Sequence, residues 1–390
     1  MKNRCVFTIV TLLFGLAVLP MRAAFSSLYV FGDTLSSTAD PTAPGPPYFY
    51  GQRDSNGRVW VEVLAQRQGM NFDGAKNNSY WDHNSAQVVT DVKNFTAPPD
   101  VANDLFIVWV CNADTFDAAC VPDTAAQWNA AINQAQTNHL QIITNLYAKG
   151  VRTLILPNAV DISTIPAFNA GTTLTGVEHA GCVAYNLAFS NTISRARALC
   201  PGLKIYTPDF FTLLNNVLTN AAYYGLTNAL SSRGFSIDAY DDPSIVNLTL
   251  NGQGTNYIFW DPQDPTAKFH EIIADIVQQS ISPAQISRIT ALAGSNRLDV
   301  ANVPVGLNGF VDVSTNFTQA WTSLQSFSST NTTQSIFVLT PVTTNAPAIK
   351  HFAPGFSPAD SGPFPGPGGT PILTALQFYR LHFPFAWSWP

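Results

Sequence analysis

The chain has 390 residues, a net charge of −6 and only 11% charged residues, against about 25% in an average globular protein. No cluster of Lys or Arg occurs along it, which excludes a nucleic-acid role, because phosphate binding needs several cations on one face. The length exceeds one ordinary core and predicts two folded units.

The N-terminus reads as a secretory signal peptide over residues 1–24. Lys2 and Arg4 precede a charge-free apolar run from Val6 to Val18, and Met21-Arg22-Ala23-Ala24 supplies small residues for cleavage. The run is shorter than the roughly 20 residues a membrane helix needs. An exported protein without a stable membrane span, secreted, periplasmic or extracellular, is the expectation.

Beyond that segment, short apolar runs alternate with longer amphipathic stretches. LYVF (28–31), LFIVWV (105–110), TLILP (153–157), LKIY (203–206) and YIFW (257–260) predict buried parallel strands. Stretches 59–68, 126–150, 178–199 and 209–225 predict helices, with Gly150 as a C-terminal cap. A last helix opens at Pro265-Thr266 with Asp264 as its N-cap. This alternation predicts an α/β domain over 25–285, a parallel sheet between two helical layers. From residue 286 to 390 the pattern changes to short alternating runs separated by turns, which predicts a C-terminal all-β, sandwich-like module. Residues 341–371 are rich in Pro and Gly and form a long loop. Trp321 and Tyr379 are either core residues of this module or part of an exposed protein- or surface-binding face. The closing FPFAWSWP is a docking or sorting tail.

Past the signal segment the cysteines are Cys111, Cys120, Cys182 and Cys200. Cys182 and Cys200 lie on one helix, up to ~27 Å apart at 1.5 Å per residue, and a disulfide needs Cα atoms within ~7 Å. Cys120–Cys182 is the favoured pair and Cys200 stays free. The six histidines are scattered and none forms a His-x-x-x-His pair, so neither a metal site nor a cofactor is expected.

In LYVFGDTLSS, Gly32 permits a tight turn at the carboxyl end of the first strand and Thr34 places a hydroxyl there. Reactive groups gather at such strand ends in open α/β sheets, although turn hydroxyls are also common caps. The segments SNGRVW (55–60), VCNADTF (110–116) and DPQDPT (261–266) follow. Together, over about residues 27–280, these blocks resemble the GDSL (SGNH) hydrolase family in order and spacing. The resemblance implies a three-layer α/β/α fold and ester hydrolysis of the lipase or carboxylesterase class. It places Thr34 at the nucleophilic serine, Asp264 at the general-base histidine and Asp261 at the aspartate that orients it. The oxyanion Asn corresponds to Asn112 or is lost at Ala113, and the oxyanion Gly is replaced by Asp82 or Ser85.

Threonine keeps the attacking oxygen but crowds it with a methyl group and is stiff at χ1. An ordinary Asp, with a pKa near 4, is poorly matched to a hydroxyl. Asp261 could raise the pKa of Asp264 by repulsion, but N-cap hydrogen bonds would lower it, and the second effect is expected to win. His83 is the candidate replacement base, His270 is read as packing or surface, and Cys111 as an inert buried thiol. Two functions remain: a hydrolase of small-molecule, lipid or glycan esters, or a catalytically inactive relative that binds an acyl or carbohydrate ligand.

Overall fold

The structure is a computed structural model that describes residues 25–41, 43, 45–120, 124–169, 175–292, 294–314, 320–339 and 377–384. The segment expected to be a signal peptide, residues 341–371 and most of the closing FPFAWSWP lie outside the described residues.

A five-stranded parallel sheet of order β2-β1-β3-β4-β5 forms the first unit. Its strands are β1 (Leu28–Gly32), β2 (Asn77–Ser79), β3 (Leu105–Trp109), β4 (Thr153–Ile155) and β5 (Lys204–Tyr206). β3 is buried along its whole length, as a continuous apolar run in a covered parallel sheet should be. The helices are α1 (Trp60–Arg67), α2 (Ser85–Asn94), α3 (Cys111–Cys120), α4 (Ala125–Ala148), the single turn α5 (Pro166–Asn169), α6 (Thr175–Leu199), α7 (Phe210–Thr219) and α8 (Ala267–Ile281). Right-handed crossovers place α2, α4 and α6 on one face, because the chain steps rightwards through β3, β4 and β5. The leftward step from β1 to β2 places α1 on the other face, where it packs against α8. The result is the expected three-layer α/β/α fold.

The strand order reverses between β1 and β3, so their carboxyl ends flank a topological switch point. Gly32 ends β1 there. A Cβ on it would meet Ser79 Oγ at 2.9 Å and the Trp109 carbonyl oxygen at 3.1 Å, so three strand ends converge only because this residue has no side chain.

The 257–260 run is not a strand of this sheet. It makes isolated bridges, Thr227 to Tyr257 and Phe259 to Pro265, and its burial comes from side-chain packing, with Trp260 against Phe49 and Ala239. The fifth strand is instead the polar three-residue β2. The bridge at Pro265 also delays the last helix to Ala267. Its cap is therefore Thr266, whose Oγ1 accepts from Phe269 N–H at 3.4 Å, and not Asp264. Cys120 and Cys182 are both free thiols: Cys120 lies exposed at the end of α3, whereas Cys182 faces the core under α6. Cys200 is free, as expected.

The C-terminal region holds two antiparallel three-stranded sheets. One combines β6 (Gln285–Leu292), β7 (Ser295–Ala301) and β10 (Thr333–Leu339). The other combines β8 (Asn308–Ser314), β9 (Thr322–Ser328) and β11 (Phe378–His382). Leu298, Val300, Ile336 and Val338 of the first pack with Val311, Leu381 and Phe383 of the second, so the sheets share a sandwich core. Trp321 lies under the Arg380 guanidinium, 4.8 Å from its ring centroid, and the Tyr379 hydroxyl accepts from Asn296 Nδ2 at 2.9 Å. Arg67 of α1, held by a buried ion pair to α8, also reaches the second unit. Arg67 Nε donates to Asp275 Oδ1 at 2.7 Å, and Arg67 Nη1 donates to the Val305 carbonyl at 3.2 Å.

Candidate active site

The three loops singled out in the sequence meet at the switch point. Asp33 N–H donates to the Trp109 carbonyl. The Asp33 carboxylate accepts from Leu35 N–H at 3.2 Å, and the Ala113 amide at the start of α3 helps to lower its pKa. The turn after β1 is thus pinned to the start of α3. Asp33 and Asp264 sense each other's charge, and Leu35, Trp109, Gln263 and Pro265 line one pocket. Thr34 opens the 3₁₀ turn Thr34–Ser36, half-buried, and its Oγ1 makes no hydrogen bond to a described residue.

The SNGR block braces α8 and does not contact the chemistry. Ser55 Oγ donates to the Pro265 carbonyl at 2.9 Å, and Ala267 N–H donates to Asn56 Oδ1 at 2.8 Å. A Cβ on Gly57 would stand 2.6 Å from that of Ala267, so glycine lets the loop lie directly on the helix start. Trp60 Nε1 donates to Ser36 Oγ at 3.1 Å and so anchors the turn that carries Thr34.

Electrostatically the site is a crowd of carboxyl groups. Burial pushes Asp33 up to about 7, against amide hydrogen bonds that lower it. Asp261 also rises to about 7, chiefly through burial, although part of its surface stays open and its Oδ1 accepts from Gln263 and Asp264 N–H. Asp264, only 4% exposed, is raised well above the usual carboxylate range, first by burial and then by Asp261, Asp54, Asp33 and Asp40. The expected N-cap lowering is thereby overturned. The helix end is capped by Thr266, so Asp264 faces carboxylates in place of amide donors.

The remaining candidates are distributed as follows. Asn112 is buried; its Oδ1 accepts from Val160 N–H at 3.0 Å, and its Nδ2 has no acceptor among the described residues. Ser85 is occupied inside the fold: its N–H donates to Asp114 Oδ1 at 2.9 Å and its Oγ accepts from Asn138 Nδ2 at 3.0 Å. Asp82 has φ +59°, the left-handed backbone that glycine adopts most readily. His83 Nε2 lies 3.5 Å from Asp91 Oδ2 on α2, its ring rests against Tyr80, and no hydrogen bond joins it to Thr34. His270 is buried, with its pKa lowered to about 3 by desolvation, and serves packing. Cys111 is fully buried and its thiol is pushed well up by burial, which keeps it unreactive.

The family model for GDSL-like lipase/acylhydrolase matches residues 28–277. The chain belongs to this family. No curated protein matches it. Among solved structures, an acetyl xylan esterase superposes with a TM-score of 0.38 at 9% identity, covering 66% of this chain and 100% of that one. An acetylxylan esterase from Geobacillus stearothermophilus gives 0.40 at 13%, covering 67% and 96%. A gut microbial diltiazem-metabolizing enzyme gives 0.39 at 8%, covering 78% and 61%. Likenesses this distant bear on neither substrate nor mechanism.

One polar network in this GDSL-family chain escaped the sequence reading. Asp114 Oδ2 accepts from the Tyr185 hydroxyl at 2.7 Å and lies 3.2 Å from His139 Nε2, which is 2.8 Å from the same hydroxyl. The signal was available. His139 sits on the stripe Trp128, Ile132, Ala135, Ile142, Leu146, at the three- and four-residue spacing of the buried face of α4.

Proposed function

We propose that the chain is an ester hydrolase in which Thr34 Oγ1 is the nucleophile and Asp264 is its base, with Asp261 holding the loop that carries Asp264. The observation that carries this reading is the carboxyl crowding around Asp264. A raised pKa makes its ionised form a stronger base, better matched to a hydroxyl than an ordinary aspartate. Thr34 Oγ1 attacks the ester carbonyl and its proton passes to the Asp264 carboxylate. The alcohol then leaves with that proton. Water next attacks the acyl-threonine, Asp264 takes the proton of that water, and the proton returns to Thr34 Oγ1 as the acid departs. Asn112 Nδ2 and the Asp82 amide are the donors left for the developing oxyanion, since the Ser85 amide is committed to Asp114. The apolar pocket beside Leu35, about 40 Å³ and walled by Trp109, Phe210, Phe259 and Phe269, takes a short acyl group.

The test is hydrolysis of p-nitrophenyl acetate, butyrate and octanoate by the purified protein. Thr34→Ala should lower kcat by about 10³-fold or more, whereas Thr34→Ser, which removes only the hindering methyl, should hydrolyse at least as fast as the native chain. Hydrolysis by Thr34→Ala at the native rate would remove Thr34 from the chemistry and leave a ligand-binding role for the cleft.

A further inference from the structure

The mouth of the site carries aromatic side chains that a soluble surface ordinarily hides. Tyr48, Tyr50 and Tyr240 are 41%, 44% and 46% exposed, and Trp81 is 56% exposed. They belong to distant parts of the sequence, yet a chain of contacts makes them one rim. Tyr48 and Tyr240 meet edge to face at 6.0 Å. The Tyr48 carbonyl accepts from Trp260 Nε1 at 3.0 Å, and Tyr240 N–H donates to the Trp260 carbonyl, which fixes both beside Asp261. On the other side, Asp40 N–H donates to the Gln52 carbonyl and Asp40 Oδ2 accepts from Trp81 N–H at 3.1 Å. Trp81 is thereby tied to the loop that carries Tyr48 and Tyr50.

The charge along this rim selects among partners. Asp54 follows Tyr50 on its loop and Asp261 follows Trp260; both are half-buried and sense each other's charge. The cation within the loop, Arg53, is committed to Glu62 at 2.7 Å and lies over the Tyr50 ring at 5.4 Å. A phosphorylated or acidic partner would meet carboxylates without a free cation. Flat rings beside hydrogen-bond acceptors instead match a sugar, which presents C–H faces to the rings and hydroxyl donors to the carboxyl oxygens.

We propose that Trp81, Tyr48, Tyr50 and Tyr240 form a binding platform for an uncharged polysaccharide chain at the mouth of the Thr34 cleft. In the esterase reading above, and only there, the platform holds the alcohol part of the ester. Binding itself needs no ester and is tested without one. The full chain is run in native gels containing hydroxyethylcellulose, laminarin or galactomannan, and separately sedimented with phosphatidylcholine vesicles. Retardation by at least one polysaccharide is expected. Trp81→Ala and Tyr240→Ala should each weaken it by about three- to tenfold, from the usual worth of one aromatic contact, while Tyr240→Phe and Thr34→Ala leave it unchanged. Thermal melting of each variant reports whether it is folded, and Tyr240→Phe with the surface change Trp81→Ala keeps the test decisive if Tyr240→Ala unfolds. Retardation by none of the three, retardation that both aromatic truncations leave intact, or ring-dependent binding to the vesicles in place of the polysaccharides overturns the proposal. Loss of hydrolysis in Thr34→Ala with retained polysaccharide binding separates this proposal from the fate of the esterase reading.

Discussion

Two buried polar clusters lie just beyond the ends of β1 and β3, and they are built on opposite principles. Around Asp114 every contact is complementary: Ser85 N–H and the Tyr185 hydroxyl donate to its carboxylate, and His139 lies alongside. Around Asp264 the neighbours are other carboxyl groups, and burial raises Asp33, Asp261 and Asp264 together. A carboxylate supplied with donors ties helices together. A carboxyl packed among carboxyls is held at a free-energy cost and retains its proton unless something draws it away. The first arrangement is what stability asks for. The second persists where chemistry needs a strong base.

The contrast is broken most severely by removing the central carboxyl of each cluster. Asp264→Asn should lower kcat on p-nitrophenyl butyrate by about 10³-fold or more, yet melt at a higher temperature than the native chain at pH 8, because the amide never has to ionise. At pH 4 the melting advantage should vanish, since the native Asp264 is then protonated. An Asp264→Asn protein with native activity would show that the base lies elsewhere. Truncation of the complementary cluster should act in the reverse sense. Asp114→Ala leaves the Ser85 amide, the Tyr185 hydroxyl and the His139 ring without their acceptor, and should cost about 2–4 kcal/mol in urea unfolding at unchanged slope. A loss below about 0.5 kcal/mol would mean the network is decorative.

The sequence makes these clusters legible to different degrees. Strands β1, β3, β4 and β5 announce themselves as apolar runs, because a covered parallel strand needs apolar side chains on both faces. β2 reads Asn-Asn-Ser and carries no such signal: it is a short edge strand, held by pairing with β1 and by Asn77 Nδ2 donating to the Ser36 carbonyl at 2.8 Å. The YIFW run has the apolar signal without the strand, since local composition cannot tell burial by pairing from burial by packing. Thr34 and Asp264 are readable as positions in a motif. The environment of Asp264 is legible only in part: the neighbouring Asp261 can be read, but the burial that dominates and the added charges of Asp54, Asp33 and Asp40 come from more than two hundred residues away in the chain. The proposed Cys120–Cys182 pair fails for a similar reason: spacing limits the distance between two backbones but not the direction in which a thiol points.

The prediction that changes no residue, and samples all the buried carboxyls at once, is the dependence of stability on pH. Asp33, Asp54, Asp238, Asp261, Asp264 and Asp275 all have raised values in the folded chain. Between about pH 4 and 7 the folded state therefore binds more protons than the unfolded state, and stability falls as pH rises. For Asp33, held at about 7 from a usual 3.8, the full loss is on the order of 4 kcal/mol. His270 opposes this. Its value is lowered to about 3, so its contribution grows as pH rises from 3 towards 6.5 and then saturates. Asp209 and Asp242, whose values are lowered, matter only below pH 4. His83, also lowered by burial, acts in the same sense as His270. Six carboxyl groups outweigh two imidazoles, so the melting temperature should fall from pH 5 to pH 8, and the fall should persist above 6.5 where both histidines are silent. Esterase activity should move the other way over the same range, because Asp264 accepts a proton only once it has lost its own. A melting temperature that climbs from pH 5 to 8 would mean the carboxyls are hydrated in solution and are not held against one another. In that case Asp264 is an ordinary acid, and its claim to act as the base fails with it.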